Sequence, residues 1–274
     1  VDTSMVMRSA GGRLGTYIME KAADMRAGSV IYDRKGSAFS QLKPGMIDWE
    51  KVLHGAEIFH WSGIVAALTP DLAEVCREGI EAARRMGVKV SCDINYRKNL
   101  WRYEGASAHD SLHKLMEYSS FIFGDQNEWE VASGLRHIPF KAMDAGYEID
   151  RNAYEAYFRE LKKQFPRCRR MLIALRNQIT SAHHTLTGVL YADDKLYTTR
   201  IYDIQPIIDP MGVGDAFVAA FIHARQRWAD DDQRCLDFAL AASAMKNTVP
   251  GDQNLVTEQE IIAMMGNTTG RIER

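Results

Sequence analysis

The chain predicts an α/β fold with a mainly parallel sheet and helices on both faces, on three observations. From Glu57 onward, short apolar runs alternate with amphipathic ones. Polar clusters stand at the ends of the apolar runs, where open α/β sheets bind their ligands. A glycine turn, Asp209-Pro210-Met211-Gly212-Val213-Gly214-Asp215, joins a β-rich run at 197–208 to a helix-like run at 216–228.

Residues 14–20 read as an interior strand and 30–40 as a second extended run, where alternating polar and apolar side chains predict a small half-exposed sheet. A strand at 58–64 precedes a helix capped by Thr69, opened by Pro70 and stopped by Gly87. Its Leu72, Val75, Cys76, Ile80 and Ala83 share one face, which predicts a core face. Residues 88–92, 121–123 and 171–175 read as further strands, and 152–165 as an amphipathic helix. The stretch 136–149 mixes Gly, Pro and charge without period and reads as a surface insertion. The tail holds a short helix at 257–265 before a polar end.

Bulk composition narrows the function classes. A chain of 274 residues with 46% apolar and 26% charged residues is globular and long enough for a sizeable core. Lys plus Arg is 34 against 36 for Asp plus Glu, so no basic field points to nucleic acid, and no long apolar run points to a membrane. The four cysteines are scattered without a Cys-x-x-Cys pair, which predicts buried free thiols in a reducing cytoplasm.

Two glycines let the turn at 212–214 close tightly, and the first amides of the following helix point outward with the positive end of its dipole. That is an anion site. Asp215 would repel a phosphate there unless it had a task, and the economical task is a base that takes a proton from a hydroxyl during phosphoryl transfer. The plain alternative is a turn with a favourable acidic residue in the first helical turn. Asn127-Glu128-Trp129-Glu130 offers hard oxygens suited to Mg²⁺, or simply a good first turn. Arg97, in Asp93-x-Asn95-x-Arg97, offers bidentate donors for a carboxylate or phosphate, or a surface ion pair with Asp93 or Glu104. His183-His184 lacks a third ligand nearby and reads as a solvated loop.

The whole string Asp-Pro-x-Gly-x-Gly-Asp-Ala-Phe resembles the second signature of the ribokinase (PfkB) family of sugar kinases. The resemblance implies a ribokinase-like three-layer α/β/α fold with a small β-sheet lid, and a single domain overall: 1–50 with lid strands near 13–42, then a core at 51–274. It implies that the amides of Gly212, Val213 and Gly214 form an anion hole and that Asp215 is the base. Asn127 and Glu130 match the family's Asn-x-x-Glu for Mg²⁺, and Asn95 and Arg97 match its Asp-x-Asn-x-Arg stretch near substrate and ATP. Tyr17, Tyr32 and Arg34 resemble the lid residues of the family's 2-keto-3-deoxygluconate kinases, where Arg34 would hold the sugar acid's carboxylate. Asp252 resembles a substrate contact after an Ala-rich helix. Arg176 stands where the family has Lys-x-Gly-x-x-Gly, but the glycines are missing and 180–185 lengthen the segment.

The implied reaction is ATP-dependent phosphorylation of 2-keto-3-deoxygluconate at its 6-hydroxyl, with sugar acid and ATP as partners, Mg²⁺ as cofactor and a homo-oligomer joined through the lid sheet. The resemblance covers residues 1 to about 264, while family members carry a preceding portion with a Gly-Gly sugar motif. A truncated front is therefore expected, with weak stability or no activity for this span alone. The alternatives are a fructokinase or other neutral-sugar kinase, which needs no carboxylate clamp, and an inactive sugar-binding fragment. A dinucleotide oxidoreductase is disfavoured, because Gly212-x-Gly214 lacks a third glycine and falls late in the chain.

Overall fold

The structure, a computed structural model, describes residues 1–266; the polar end at 267–274 lies outside the described residues. The chain divides into two compact units.

The first unit comprises Val1–Glu20, Ser29–Arg136 and Glu160–Arg169. Strands β1 (Thr16–Glu20) and β2 (Ser29–Asp33) pair antiparallel, with Tyr17 opposite Tyr32 and Ile18 opposite Ile31. β2 stops earlier than the run to residue 40 suggests, because the chain turns at Gly36 (φ 71°) into a 3₁₀ turn at Phe39–Gln41. The Arg13 guanidinium donates to both carboxylate oxygens of Asp33, at 2.9 and 2.7 Å.

Helix α1 (Trp49–Leu53) leads to β3 (Ile58–Ser62), which passes directly into α2 (Gly63–Leu68). The apolar run 58–64 is therefore a strand and a helix start, not one strand. Gly63 makes the switch possible: a Cβ there would lie 2.1 Å from the Ile94 carbonyl oxygen. Helix α3 (Pro70–Arg85) follows, with Thr69 Oγ1 accepting from the Leu72 amide at 3.1 Å and Gly87 at φ 72° beyond its end. All five residues of its predicted core face are buried. Shortening Ile80 to Ala would cost on the order of 2–5 kcal/mol. Strands β4 (Lys89–Asp93) and β5 (Phe121–Gly124) extend β3 in parallel, with Cys92 between Trp61 and Ile122. Helices α4 (Ala108–Met116) and α5 (Gln126–Ser133) complete this unit's named elements.

The second unit comprises Lys21–Gly28, His137–Arg159 and the chain from Arg170. Helix α6 (Arg151–Gln164) precedes β6 (Arg170–Thr180) and β7 (His183–Ala192), a long antiparallel hairpin running from Arg170 opposite Ala192 to Thr180 opposite His183. β8 (Lys195–Thr198) and β9 (Tyr202–Ile204) both pair antiparallel with β7. Helices α7 (Val213–Arg227), α8 (Asp232–Lys246) and α9 (Glu258–Gly266) follow. The buried Asp232 carboxylate accepts from Arg170 at 2.6 and 3.0 Å and from Arg225 at 2.9 Å, tying the start of β6 to α7 and α8.

The hairpin corrects the reading of His183-His184 as a solvated loop. His184 is buried, neither ring nitrogen has a partner among the described residues, and burial, followed by Arg176, pushes its pKa down to about 4. His183 meets the Asp203 carboxylate at 2.6 Å. The irregular stretch 136–149 is also more than surface. Phe140 and Ala142 are buried, and the Ala142 carbonyl accepts from Asn177 at 2.8 Å and from Thr185 at 2.7 Å.

All four cysteines are free and buried, and burial alone raises Cys76 to about 12. Among the described residues no helix is long and apolar enough to cross a membrane.

Candidate active site

The glycine turn sits where the sequence puts it, at the start of α7. Gly212 has φ 73°, a left-handed conformation that a side chain resists, and a Cβ there would lie 2.0 Å from the Asp252 carbonyl oxygen. The Ala216 amide closes the first helical bond to the Gly212 carbonyl at 2.8 Å, so the amides of Val213, Gly214 and Asp215 head the helix ahead of that bond. No side chain caps them. Polar groups that neither the helix nor a cap satisfies, at the positive end of a fifteen-residue helix, favour an anion. Asp215 is exposed and lines a cleft of about 430 Å³ together with Gly212, Ala219, His223, Asp252 and Glu258. Among the described residues, no ion pair holds the Asp215 carboxylate.

Asp209, the first residue of the turn, does what the sequence did not assign. It is 2% exposed, and its carboxylate accepts from the Met211 amide at 3.1 Å and from the Gly251 amide at 3.0 Å, with Lys21 Nζ at 3.4 Å. Burial works to raise its pKa, but the two amides and Lys21 outweigh it and hold the group below its ordinary value. The Ile208 and Asp209 amides both donate to the Asn247 carbonyl, at 2.8 and 3.1 Å. The glycine turn is thus stitched to the segment that carries Asp252. Arg176, by contrast, lies midway along β6, exposed and opposite Leu186.

The first unit brings together a second polar group at the ends of β4 and β5. Asn95 adopts φ 42°, an unusual backbone conformation that Asn tolerates, and donates to Ser62 Oγ at 3.1 Å. Arg97 does not pair with Asp93 or Glu104; it reaches Glu128 Oε1 at 3.3 Å. Glu128 also closes a capping box on α5: its carboxylate accepts from the Asp125 amide at 2.8 Å, while Asp125 accepts from the Glu128 amide at 2.8 Å. Buried, and close to Asp125 and Asp93, Glu128 has its pKa raised to about 8 despite Arg97. The Asp-x-x-Glu spacing signals the capping box, but the burial comes from tertiary packing that no local pattern shows. Asn127 is exposed and Glu130 half-buried, one turn apart at the start of α5.

Tyr17, Tyr32 and Arg34 belong to the first unit as well. Tyr17 and Tyr32 face each other across the β1–β2 pair with ring centroids 6.2 Å apart, and the Arg34 guanidinium lies 4.6 Å from the Tyr32 ring centre.

The model of the pfkB family of carbohydrate kinases matches residues 1–259. The chain is 26% identical over 263 residues to a 2-dehydro-3-deoxygalactonokinase of Haloferax volcanii, covering 96% of this chain and 73% of that one. It is 28% identical over 254 residues to a 2-dehydro-3-deoxygluconokinase of Thermoproteus tenax, covering 92% and 68%. Among solved structures, a 2-dehydro-3-deoxygluconokinase of Thermotoga maritima superposes with a TM-score of 0.82 at 31% identity, over 93% of this chain and 75% of that one. A ribokinase from E. coli, solved with ATP and Mg²⁺, shares the fold at 20% identity and a TM-score of 0.66, over 88% and 68%. The fold is ribokinase-like, and with a family model spanning nearly all of its length, the chain belongs to the pfkB family of carbohydrate kinases.

Proposed function

We propose that the chain transfers the γ-phosphoryl group of ATP to the terminal hydroxyl of a 2-keto-3-deoxy sugar acid, with 2-keto-3-deoxygluconate as the leading substrate. The observation that carries this reading is the exposed Asp215, which lines a cleft with Gly212 and stands in the first turn of a helix whose leading amides no side chain caps. Asp215 takes the hydroxyl proton as the oxygen attacks. The amides of Val213 and Gly214, within the Gly212–Gly214 turn, face the charge that develops on the moving phosphoryl group, where fixed donors are worth most. Asp252 supplies a second carboxylate to the same cleft for the sugar's hydroxyls.

Arg34 fits the acid end of such a sugar, because its planar fork binds a carboxylate bidentately, and Tyr17 and Tyr32 add hydroxyls and ring faces. Asn95 and Arg97 offer a carboxamide and a guanidinium for phosphates, and Arg176 a cation for the nucleotide. Asn127 and Glu130 are the residues that would hold Mg²⁺. Their carboxamide and carboxylate oxygens are hard ligands of the kind Mg²⁺ takes, usually through its waters. When bound, Mg²⁺ supplies charge neutralisation between the phosphates.

Relatives named for gluconate and galactonate derivatives leave both epimers in the substrate class. The four free, buried thiols fit a reducing cytoplasm. A homo-oligomer through the β1–β2 sheet is supported by Ile18 and Ile31, paired across it and 71% and 65% exposed.

The test is Asp215→Asn in a coupled ADP assay. Turnover falls by about two to four decades, the usual worth of a general base, while sugar binding persists. Unchanged turnover would remove Asp215 from the mechanism.

A further inference from the structure

We propose that Lys246 is a positioning residue for the phosphoryl site, its buried ammonium holding the two turns that shape the amide cradle in register. The proposal rests on the reading of Asp215 and the cradle given above, and names a group on which that reading is silent.

Lys246 ends α8 with none of its surface exposed, the most extreme burial of any charged side chain among the described residues. Its Nζ donates to the Val249 carbonyl at 2.9 Å, three residues on. A methionine would fill the same space without desolvating a charge, so the ammonium itself needs a reason. That reason lies in its surroundings. Asp209 and Asp252 both act on it favourably, against a smaller repulsion from Lys21, and burial still leaves its pKa below the ordinary lysine value.

Each of the two carboxylates sits on one of the two turns. Asp209 opens the first turn and binds an amide on each: Met211 on its own and Gly251 on the other. Asn247, beside Lys246, accepts from Ile208 and Asp209. Asp252 presses its carbonyl oxygen against Gly212. Lys246 fastens the second turn through Val249 and supplies a positive charge that both carboxylates favour. Without that charge its attraction for Asp209 and Asp252 is lost, and the contact that sets Gly212, and with it the α7 amides, loosens. Lys246 touches no substrate in this scheme; it acts through the cradle.

The experiment uses the full chain with Lys246→Met, Lys246→Ala and Asp215→Asn in parallel. In Lys246→Met, kcat falls by about tenfold to a hundredfold with little change in the KM for sugar, the pattern of a lost transition-state interaction. Hydrogen exchange of the Met211 and Gly251 amides quickens while the middle of α7 stays protected. In wild type, kcat descends on the alkaline side as Lys246 loses its proton, with Asp209, Asp252 and Lys21 the charged groups that face it. In Lys246→Met that descent is gone. Methylammonium restores part of the kcat of Lys246→Ala.

Wild-type kcat in Lys246→Met, or the same alkaline descent in both proteins, overturns the proposal and leaves the kinase reading intact if Asp215→Asn is still crippled. An active Asp215→Asn overturns both. Should the Lys246 variants fail to fold, wild type alone decides: a kcat that stays flat up to the ordinary lysine pKa of 10.5 refutes the role of the charge.

Discussion

Replacing Gly212 by Ala tests the cradle's geometry, and two other glycines supply the controls. At Gly212 a methyl group meets two obstacles. The φ of 73° costs an L-residue about 1–2 kcal/mol. The new Cβ would also sit 2.0 Å from the Asp252 carbonyl oxygen, so one turn must retreat by roughly 1 Å to reach van der Waals contact. A displacement of that size at a reacting centre lowers turnover by on the order of 10²-fold. Gly251 has φ 83° but nothing within 4 Å of its notional Cβ, so Gly251→Ala meets the backbone cost alone. Gly214 has neither obstacle and lies in the helix, where Ala is favoured over Gly by about 1 kcal/mol. Thermal unfolding should therefore rank Gly214→Ala above wild type, then Gly251→Ala, then Gly212→Ala. The ADP-coupled rate should collapse in Gly212→Ala and remain within a few-fold in Gly251→Ala. If Gly212→Ala and Gly251→Ala lose equal stability and equal rate, the pressure of Asp252 on Gly212 is not what shapes the site.

Two further outcomes are expected. Glu128 has its folded pKa raised from 4.5 to about 8, so its favourable contribution is complete below pH 4.5 and disappears as pH climbs towards 8. Glu128→Gln stays neutral throughout, and its melting temperature should gain on wild type steadily between pH 5 and 8; a gap that does not change with pH contradicts the burial argument. Arg34→Met should raise the KM for a sugar acid by about tenfold to a hundredfold, the worth of a charged bidentate contact, and leave that for a neutral hexose alone. Equal effects on both substrates would remove Arg34 as the carboxylate clamp and favour a neutral-sugar kinase.

The parts of the chain legible beforehand are those where one local signal settles the structure. Thr69, Pro70 and Gly87 bound α3 almost to the residue, since caps and a left-handed stop act within a single turn. The glycine turn before α7 was legible for the same reason. The β6–β7 hairpin was not. Its connection at Ser181 and Ala182 has no Gly, Asn or Pro to announce a turn, and two histidines in a row look wet until long-range pairing buries one of them. α2 was hidden because its apolar residues continue those of β3 without a break in pattern, and the close approach of Gly63 to Ile94 that accompanies the change is a tertiary contact. Around the candidate site, Asp215, Gly212 and Asp252 were named from motif order. The bonds from Asp209 to Gly251 and from Arg97 to Glu128 span 42 and 31 residues and have no local signature. The burial of Lys246 runs against every expectation for that residue type.

The sealed thiols have a practical corollary. With Cys76, Cys92, Cys168 and Cys235 all shielded, maleimide or bimane reagents would find almost no native target in the folded protein. A single cysteine introduced at Ile18, which is 71% exposed, would then carry a fluorophore with little background. Modification of the original four would serve as a clock for global opening.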